Sequence, residues 1–283
     1  MGIAKNLIRA SIPRNVRNYL RSPATTAKWA LGEIKYALGV NQIVEIRPGW
    51  SIKCHPLAYG FAYNAQHQDA DQIAEFDAFI SNCTPGMMLF DIGAHFGLFS
   101  LAALHFGGPE AKAIAVDPSP TASRITGIQA RLNNVSDRLQ VVRAAVGDQN
   151  GWQEMVAVGV LASGYFVAPA ETHQSRELTQ TQEVTLDHLA EEFDLRPTHI
   201  KIDVEGHEAS VIRGGQQVLS RPASPTLFLE LHNQMIRDRG GDPQETLSLL
   251  EISGYKTFAV DGGPITKDII LNHPLIRIIA RRL

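Results

Sequence analysis

Cysteine is scarce: Cys54 and Cys83 are the two in 283 residues. They show no metal-ligand spacing, which argues against a disulfide-stapled secreted domain and a structural zinc site and fits a reducing compartment. Charge of one sign is also scarce. A net charge of -3 excludes a general nucleic-acid binder, which carries a strong basic excess or a basic stripe. Long hydrophobic runs are missing too. The longest uncharged stretch, Met155 to Ala170, is interrupted by Gly159, Gly164 and Pro169, short of the ~20 apolar residues that span a bilayer. Lys5 and Arg9 break the apolar run that an export signal needs. A cytoplasmic protein is the expectation.

The small net charge conceals an asymmetry. Residues 1–40 hold seven Lys/Arg (Lys5, Arg9, Arg14, Arg17, Arg21, Lys28, Lys35) against the single acid Glu33, a net +6 on a chain of net charge -3. Together with Arg277, Arg281 and Arg282, this segment fits either solvated helices packed on the domain or a peripheral contact with the inner face of an anionic membrane.

What is present is ample apolar material, 44% of residues, enough for a sizeable core. Residues 1–39 read as helical with breaks near Pro13 and Pro23, residues 42–47 and 50–55 as a hairpin, and residues 69–81 as an amphipathic helix with Ile73, Phe76 and Ile80 on one face. From residue 86 strand, turn and helix repeat. Strands are expected at 87–91, 111–117, 139–143, 198–202, 226–231 and 255–260, helices at 97–106, 121–133, 207–219 and 243–253, and a β-rich excursion at 152–167. Such alternation implies a doubly wound, mostly parallel α/β sheet with a helical N-terminal extension. Three parts follow: a basic extension at 1–40, a hairpin and helix at 41–84 leading into the core, and a main domain at 85–283.

The strongest local signal is Phe90-Asp91-Ile92-Gly93-Ala94-His95-Phe96-Gly97, an apolar strand that ends in an acid and opens a helix through two glycines. Gly93 suits a tight turn with close ligand approach, and Gly97 suits close packing of the helix on the strand. The spacing is not the G-x-G-x-x-G of dinucleotide folds, so a nucleotide cofactor without a pyrophosphate fits better. Asp117 ends the next strand, where a carboxylate can accept both hydroxyls of a ribose or simply cap the following helix. Further on, Lys201, Asp203, Glu205 and Glu208 crowd an apolar strand end. Along an extended chain Lys201, Asp203 and Glu205 point to one side, an arrangement that perturbs pKa values and marks a site, or else a solvated acidic edge.

These segments, with Val116-Asp117-Pro118-Ser119, Ala144-Ala145-Val146-Gly147-Asp148 and above all Lys201-Ile202-Asp203-Val204-Glu205-Gly206-His207-Glu208, resemble the class I S-adenosylmethionine-dependent methyltransferases, and within them the FkbM family. The resemblance covers residues 85–235. It implies a Rossmann-like fold and S-adenosylmethionine as methyl donor. It also implies that Asp91, Gly93, His95 and Gly97 face the methionine part of the cofactor, that Asp117 holds the ribose with Ser119 nearby, and that Ala145 and Asp148 contact adenine. Two departures stand out: many family members carry Asn at the place of His95 and Glu at the place of Asp117.

Methyl transfer to a hydroxyl needs an aligned acceptor and a base. Asp203 is the first candidate, with His232 at the end of the next strand as the alternative. Glu205 and Glu230 would bind hydroxyls of a polyol acceptor, with Lys201 neutralising a neighbour. Asp203, Glu205, Glu208, Glu230 and His232 also carry ligand types for a divalent metal, but their spacing specifies none, and the expectation is a site without one. Trp152, Tyr165 and Phe166 in the excursion would serve either the core or an acceptor pocket. The expected activity is O-methylation of a small-molecule or glycan hydroxyl on a sugar, glycolipid or secondary metabolite. The alternatives are an NAD-dependent oxidoreductase, which should show the G-x-G-x-x-G that is missing, and a non-catalytic methyltransferase-like scaffold.

Overall fold

The computed structural model describes residues 23–61, 63–156, 165–166 and 178–282. The expectations for residues 1–22 and for most of the excursion lie outside the described residues, as do the side chains of Tyr165 and Phe166. Helix α1 (Pro23–Ala37) leads to the hairpin of β1 (Gln42–Arg47) and β2 (Trp50–Cys54), which turns at Pro48-Gly49. Helix α2 (Pro56–Phe61) and a short 3-10 turn at Tyr63–His67 come next, in a stretch without a clear apolar period. Helix α3 (Ala70–Ser81) is capped by Asp69, whose carboxylate accepts the amides of Asp71 and Gln72. Its buried residues are Glu75, Phe76 and Phe79, while Ile73 and Ile80 are half-buried. A carboxylate therefore occupies the core face of this helix, one step around from where the apolar pattern centres it.

The alternating part runs β3 (Met88–Ile92), α4 (Leu98–Phe106), β4 (Lys112–Val116), α5 (Pro120–Leu132) and β5 (Leu139–Val142). An excursion of β6 (Ala145–Val146), β7 (Gly151–Val156), β8 (Tyr165–Phe166) and β9 (Leu178–Val184) forms a second sheet, followed by α6 (Leu186–Glu192). Then come β10 (His199–Ile202), α7 (Glu208–Arg213) and α8 (Gln216–Ser220), the expected single helix being divided at Gly214-Gly215. The chain continues as β11 (Thr226–Leu231), α9 (Asn233–Asp238), α10 (Gln244–Ile252), β12 (Lys256–Ala259), α11 (Lys267–Asn272) and β13 (Ile276–Arg281).

The main sheet has the order β12-β13-β11-β10-β3-β4-β5. Strands β5, β4, β3, β10 and β11 pair in parallel, while β13 is antiparallel to both β11 and β12. After β3 the chain steps outward to β4 and β5, then returns to place β10 on the opposite side of β3. The carboxyl ends of β3 and β10 therefore flank the switch point where open α/β sheets form their ligand crevice. One face of the sheet buries Val44, Trp50, Phe76 and Phe79 together with Leu101, Phe228 and Ile279. Residues 41–84 thus belong to the core itself, and the last strand, Ile276–Arg281, closes the same layer. The opposite face buries Ile92, Val116, Ile202, Leu229 and Leu247.

The turn from β3 into α4 depends on Gly97, which sits at φ 74° as the first cap of α4. A Cβ there would lie 2.7 Å from Thr126 Cγ2 on α5, so this glycine permits helix-on-helix rather than helix-on-strand packing. Gly97→Ala should cost about 2–4 kcal/mol in urea unfolding, from the left-handed backbone plus overpacking. Adding Thr126→Ser should recover the packing share, since it removes the methyl and keeps the hydroxyl that donates to His95 O. Full stability in the single variant would contradict this packing.

Candidate active site

The crevice at the strand ends has two compartments. A narrow slot is lined by Ile92, Val116, Ala144, Ala145, Val146, Met155 and Val204, with Asp117 and His207 as its polar members beside Gly93 and Asp203. Asp117 Oδ2 accepts the amide of His95 at 2.9 Å and Oδ1 the amide of Ser119 at 2.8 Å. Burial raises its pKa to about 6, with those two amides pulling it back, so it is charged at neutral pH. Each oxygen retains a lone pair for a further donor. Ser119 caps α5 by accepting the amide of Ala122.

The second compartment is a polar chamber of about 310 Å³, in the size range of small-molecule sites. Tyr63, Gln66, Gln72 and Glu75 line it from the N-terminal elements, and Asp91, His95, Lys201, Asp203, Glu205, Glu230, His232 and Arg277 from the sheet. The compartments meet at Gly93 and Asp203, which line both. At φ 78°, a Cβ on Gly93 would lie 1.8 Å from the backbone oxygen of Asp203. Glycine is required there by the neighbouring strand end before any ligand arrives.

Beneath the chamber lies a buried ionic cluster. Lys201, 1% exposed, places Nζ 3.0 Å from both Glu75 and Glu230 and 5.0 Å from the Phe99 ring centre. Arg277 closes the quartet at 2.9 Å from each of the same two carboxylates. Burial acts to raise the pKa of Glu230, but Lys201 and Arg277 outweigh it and hold the value to about 2. Burial acts against the charge of Lys201 too, and the carboxylates Glu230, Glu75 and Asp203 reverse the effect, so the ammonium stays protonated. Asp91 lines the chamber with its Oδ2 accepting both the amide and the hydroxyl of Ser100. His95 stands at φ 48°, stacked on Phe96, with a buried Nε2 that has no partner among the described residues.

Strand β10 ends at Ile202, and the following turn carries Glu205 at φ 54° and Gly206 at φ 95°. The expected one-sided alternation therefore stops before Asp203, yet the turn still delivers Asp203 and Glu205 to the chamber. His232 faces them from the end of β11. Its Nδ1 is 2.8 Å from Glu208 Oε1, and its Nε2 is 3.7 Å from Asp203 Oδ1. Burial lowers the His232 pKa, but the Glu208 hydrogen bond and the charges of Asp203, Glu208 and Glu205 overcome this and raise it to about 9. His232 is thus an imidazolium at neutral pH, not the ready base that an ordinary histidine pKa suggested. Asp203 is pushed well above the usual carboxylate range by burial and Glu230, with Lys201 and His232 opposing. Asp203, Glu205 and His232 offer ligand atoms within 4.8 Å of one another, a metal-capable set.

Of the residues singled out in the sequence, Asp91, Gly93, His95, Asp117, Ala145, Lys201, Asp203, Glu205 and His232 line the two compartments. Gly97 and Ser119 act through the turn and the helix cap. Asp148 is drawn away, paired with Arg213 at 2.9 Å. Glu230 is engaged by two cations rather than presented to an acceptor. Trp152 is 71% exposed and outside both compartments, and Met155 of the same strand lines the slot instead. Arg277 belongs to the chamber, Arg281 lies over Phe258, and Arg282 donates to the carbonyls of Ser220 and Arg221. Glu75, Arg277, Tyr63 and Gln66 were missed; the one local signal was an acid on the apolar face of residues 69–81.

The Methyltransferase FkbM domain family matches residues 91–257. No curated protein sequence matches the chain. Among solved structures, one similar chain is methyltransferase FkbM from Methylobacillus flagellatus KT, with 14% identity, 80% of this chain and 53% of that chain covered, and a TM-score of 0.45. The present chain therefore spans about half the length of that relative. Others are a precorrin-6y C5,15-methyltransferase from Geobacter metallireducens GS-15 (12% identity, 75% and 86% covered, TM-score 0.41) and the O-methyltransferase from Bacillus cereus in complex with SAH (12% identity, 74% and 78% covered, TM-score 0.40).

Lys201→Met should destabilise the fold by about 3–5 kcal/mol in urea unfolding, because two buried carboxylates are left with Arg277 alone. Adding Glu75→Gln should restore part of that loss. Equal stability of the single and double variants would show that the ammonium does not compensate Glu75.

Proposed function

The chain belongs to the FkbM methyltransferase family, and from that premise we propose that it transfers a methyl group from S-adenosylmethionine to a hydroxyl of a sugar, glycolipid or secondary metabolite. The observation that carries this reading is the meeting of a largely apolar slot, with Asp117 in its wall, and a polar chamber at Gly93 and Asp203. The lining of the slot suits a nucleoside, for which its space of about 30 Å³ must widen: its aliphatic walls from Ile92, Val116, Ala145 and Met155 would hold the adenine, and the spare lone pairs of Asp117 would accept the ribose hydroxyls. Gly93 puts no side chain where the slot and the chamber meet, which supports close passage of the rest of the cofactor into the acidic chamber. The cofactor supplies an electrophilic methyl on a sulfonium.

The residues of the chain then have separable tasks. Asp117 and the slot hold the donor, and Asp203 and Glu205 oppose its positive charge. Gln66 and Gln72 over the chamber can orient hydroxyls of the acceptor, whereas the Tyr63 hydroxyl is engaged, donating to Phe96 O and accepting from Gln129 Nε2. The acceptor proton goes to His232, through the Nε2 that faces Asp203. Glu208 fixes the ring through Nδ1 and stabilises the imidazolium formed, so Glu208 is a positioning residue. A second reading, metal-assisted alignment of the acceptor by Asp203, Glu205 and His232, is favoured by their 4.8 Å grouping alone.

The direct test is transfer of a radiolabelled methyl from S-adenosylmethionine to glycan, lipid and small-molecule fractions, with mass analysis of the product. Label in a hydroxyl-bearing acceptor supports the reading; none in any fraction contradicts it. His232 must be neutral to accept a proton, so turnover should rise with pH through a limb near 9. Glu208→Gln removes the partner that holds that proton, and should move the limb down by about 1 unit or more toward the ordinary histidine value. An unmoved limb would exclude His232 as the base. Activity that EDTA abolishes and magnesium restores would favour the metal reading instead.

A further inference from the structure

Helix α1 is apolar on its outer face as well as on the face it packs against the domain. Trp29, Gly32, Glu33 and Tyr36 face the domain, while Leu31, Ile34 and Leu38 lie outward at helical spacing, 53%, 55% and 75% exposed. Val40 and Ile43 extend the same run past the helix, 49% and 71% exposed. These five are the largest grouping of exposed large hydrophobics among the described residues. Lys35 and Lys53 are exposed around it, and Lys28 donates to Gly60 O. Of the acids nearby, Glu33 pairs with Arg124, and Glu45, exposed on the same side of β1 as Ile43, accepts the amide of Gly49.

We infer that this outer face of α1 and the start of β1 docks on an anionic lipid bilayer. An apolar stripe set among cations is the pattern that inserts at the interface of a charged membrane. Charge separates this occupant from the others. Residues 1–22 carry Lys5, Arg9, Arg14, Arg17 and Arg21 and no acid, so folding them onto the stripe would set cations beside Lys28 and Lys35. A second copy would do the same across the interface. Anionic headgroups neutralise both the stripe's border and the chain that precedes it. The C-terminal arginines take no part, and the inference is independent of methyl transfer.

The test is flotation of the full-length protein with vesicles of phosphatidylcholine alone and of phosphatidylcholine with phosphatidylglycerol. Binding is expected on the anionic vesicles and not on the neutral ones. Leu31→Ser, Ile34→Ser and Leu38→Ser together should reduce it by about tenfold or more, since these exposed side chains lose only membrane burial. Unchanged thermal unfolding of the triple variant shows that its fold is intact. Equal flotation of the triple variant and the parent would overturn the inference. So would a parent dimer in light scattering that the triple variant converts to monomer, which assigns the stripe to a second copy. A parent that stays monomeric and binds no vesicle also overturns it and leaves residues 1–22 as the cover.

Discussion

The ammonium of Lys201 is the interaction on which the rest of the site depends. Burying it is costly unless opposite charge surrounds it, and the charge comes from distant parts of the chain: Glu75 on α3 and Glu230 on β11, with Arg277 on β13 balancing them. Four elements are thereby fixed to one point under the crevice. Two of the four residues, Glu75 and Arg277, lie outside the stretch that matches the FkbM domain. The ends of the chain consequently complete the chamber that the family domain opens, and α3 cannot leave without exposing an unbalanced cation. The same cluster sets the local field. With Glu230 and Glu75 committed to Lys201 and Arg277, the other acids lining the chamber are Asp91, bonded to Ser100, and Asp203 and Glu205, opposite His232.

This arrangement separates binding from proton handling. The slot has mostly apolar walls with Asp117, whose oxygens are each held by a backbone amide, and shares Asp203 with the chamber. The chamber has opposed charges at short range, with Glu208 behind His232 and Asp203 in front of it. Gly93 is the hinge between the two, because the backbone of Asp203 occupies the space a side chain would take. A nucleoside and a hydroxylated acceptor make different demands on a protein surface, and the two compartments differ in the matching way.

Much of this was legible in the sequence wherever the determinants are local. The strand that ends in Asp91, the glycine turn, the acid at 117 and the block around Asp203 all reach the crevice, because strand period and turn chemistry act over a few residues. Pairs that form across long separations left no such trace. Arg277 meets Glu75 across 202 positions, and nothing near either residue distinguishes an internal arginine from a surface one. The final strand was passed over for the same reason: Ile276–Arg281 has charges within an apolar run, and they read as a basic terminus until their partners are known. Asp148 does not line the slot: Gly147-Asp148 reads as a binding turn, while the carboxylate reaches Arg213. His232 was placed correctly in space but not in charge, since its pKa follows from three carboxylates brought together only by folding.

The central claim is that the slot at Asp117 and Gly93 holds S-adenosylmethionine. Calorimetric titration of the full-length protein measures this most directly. S-adenosylmethionine should bind, NAD should not, and Asp117→Asn should weaken binding by about tenfold or more through loss of a charged acceptor for the ribose hydroxyls. Failure to bind S-adenosylmethionine, preference for NAD, or equal affinity in Asp117→Asn would contradict the account.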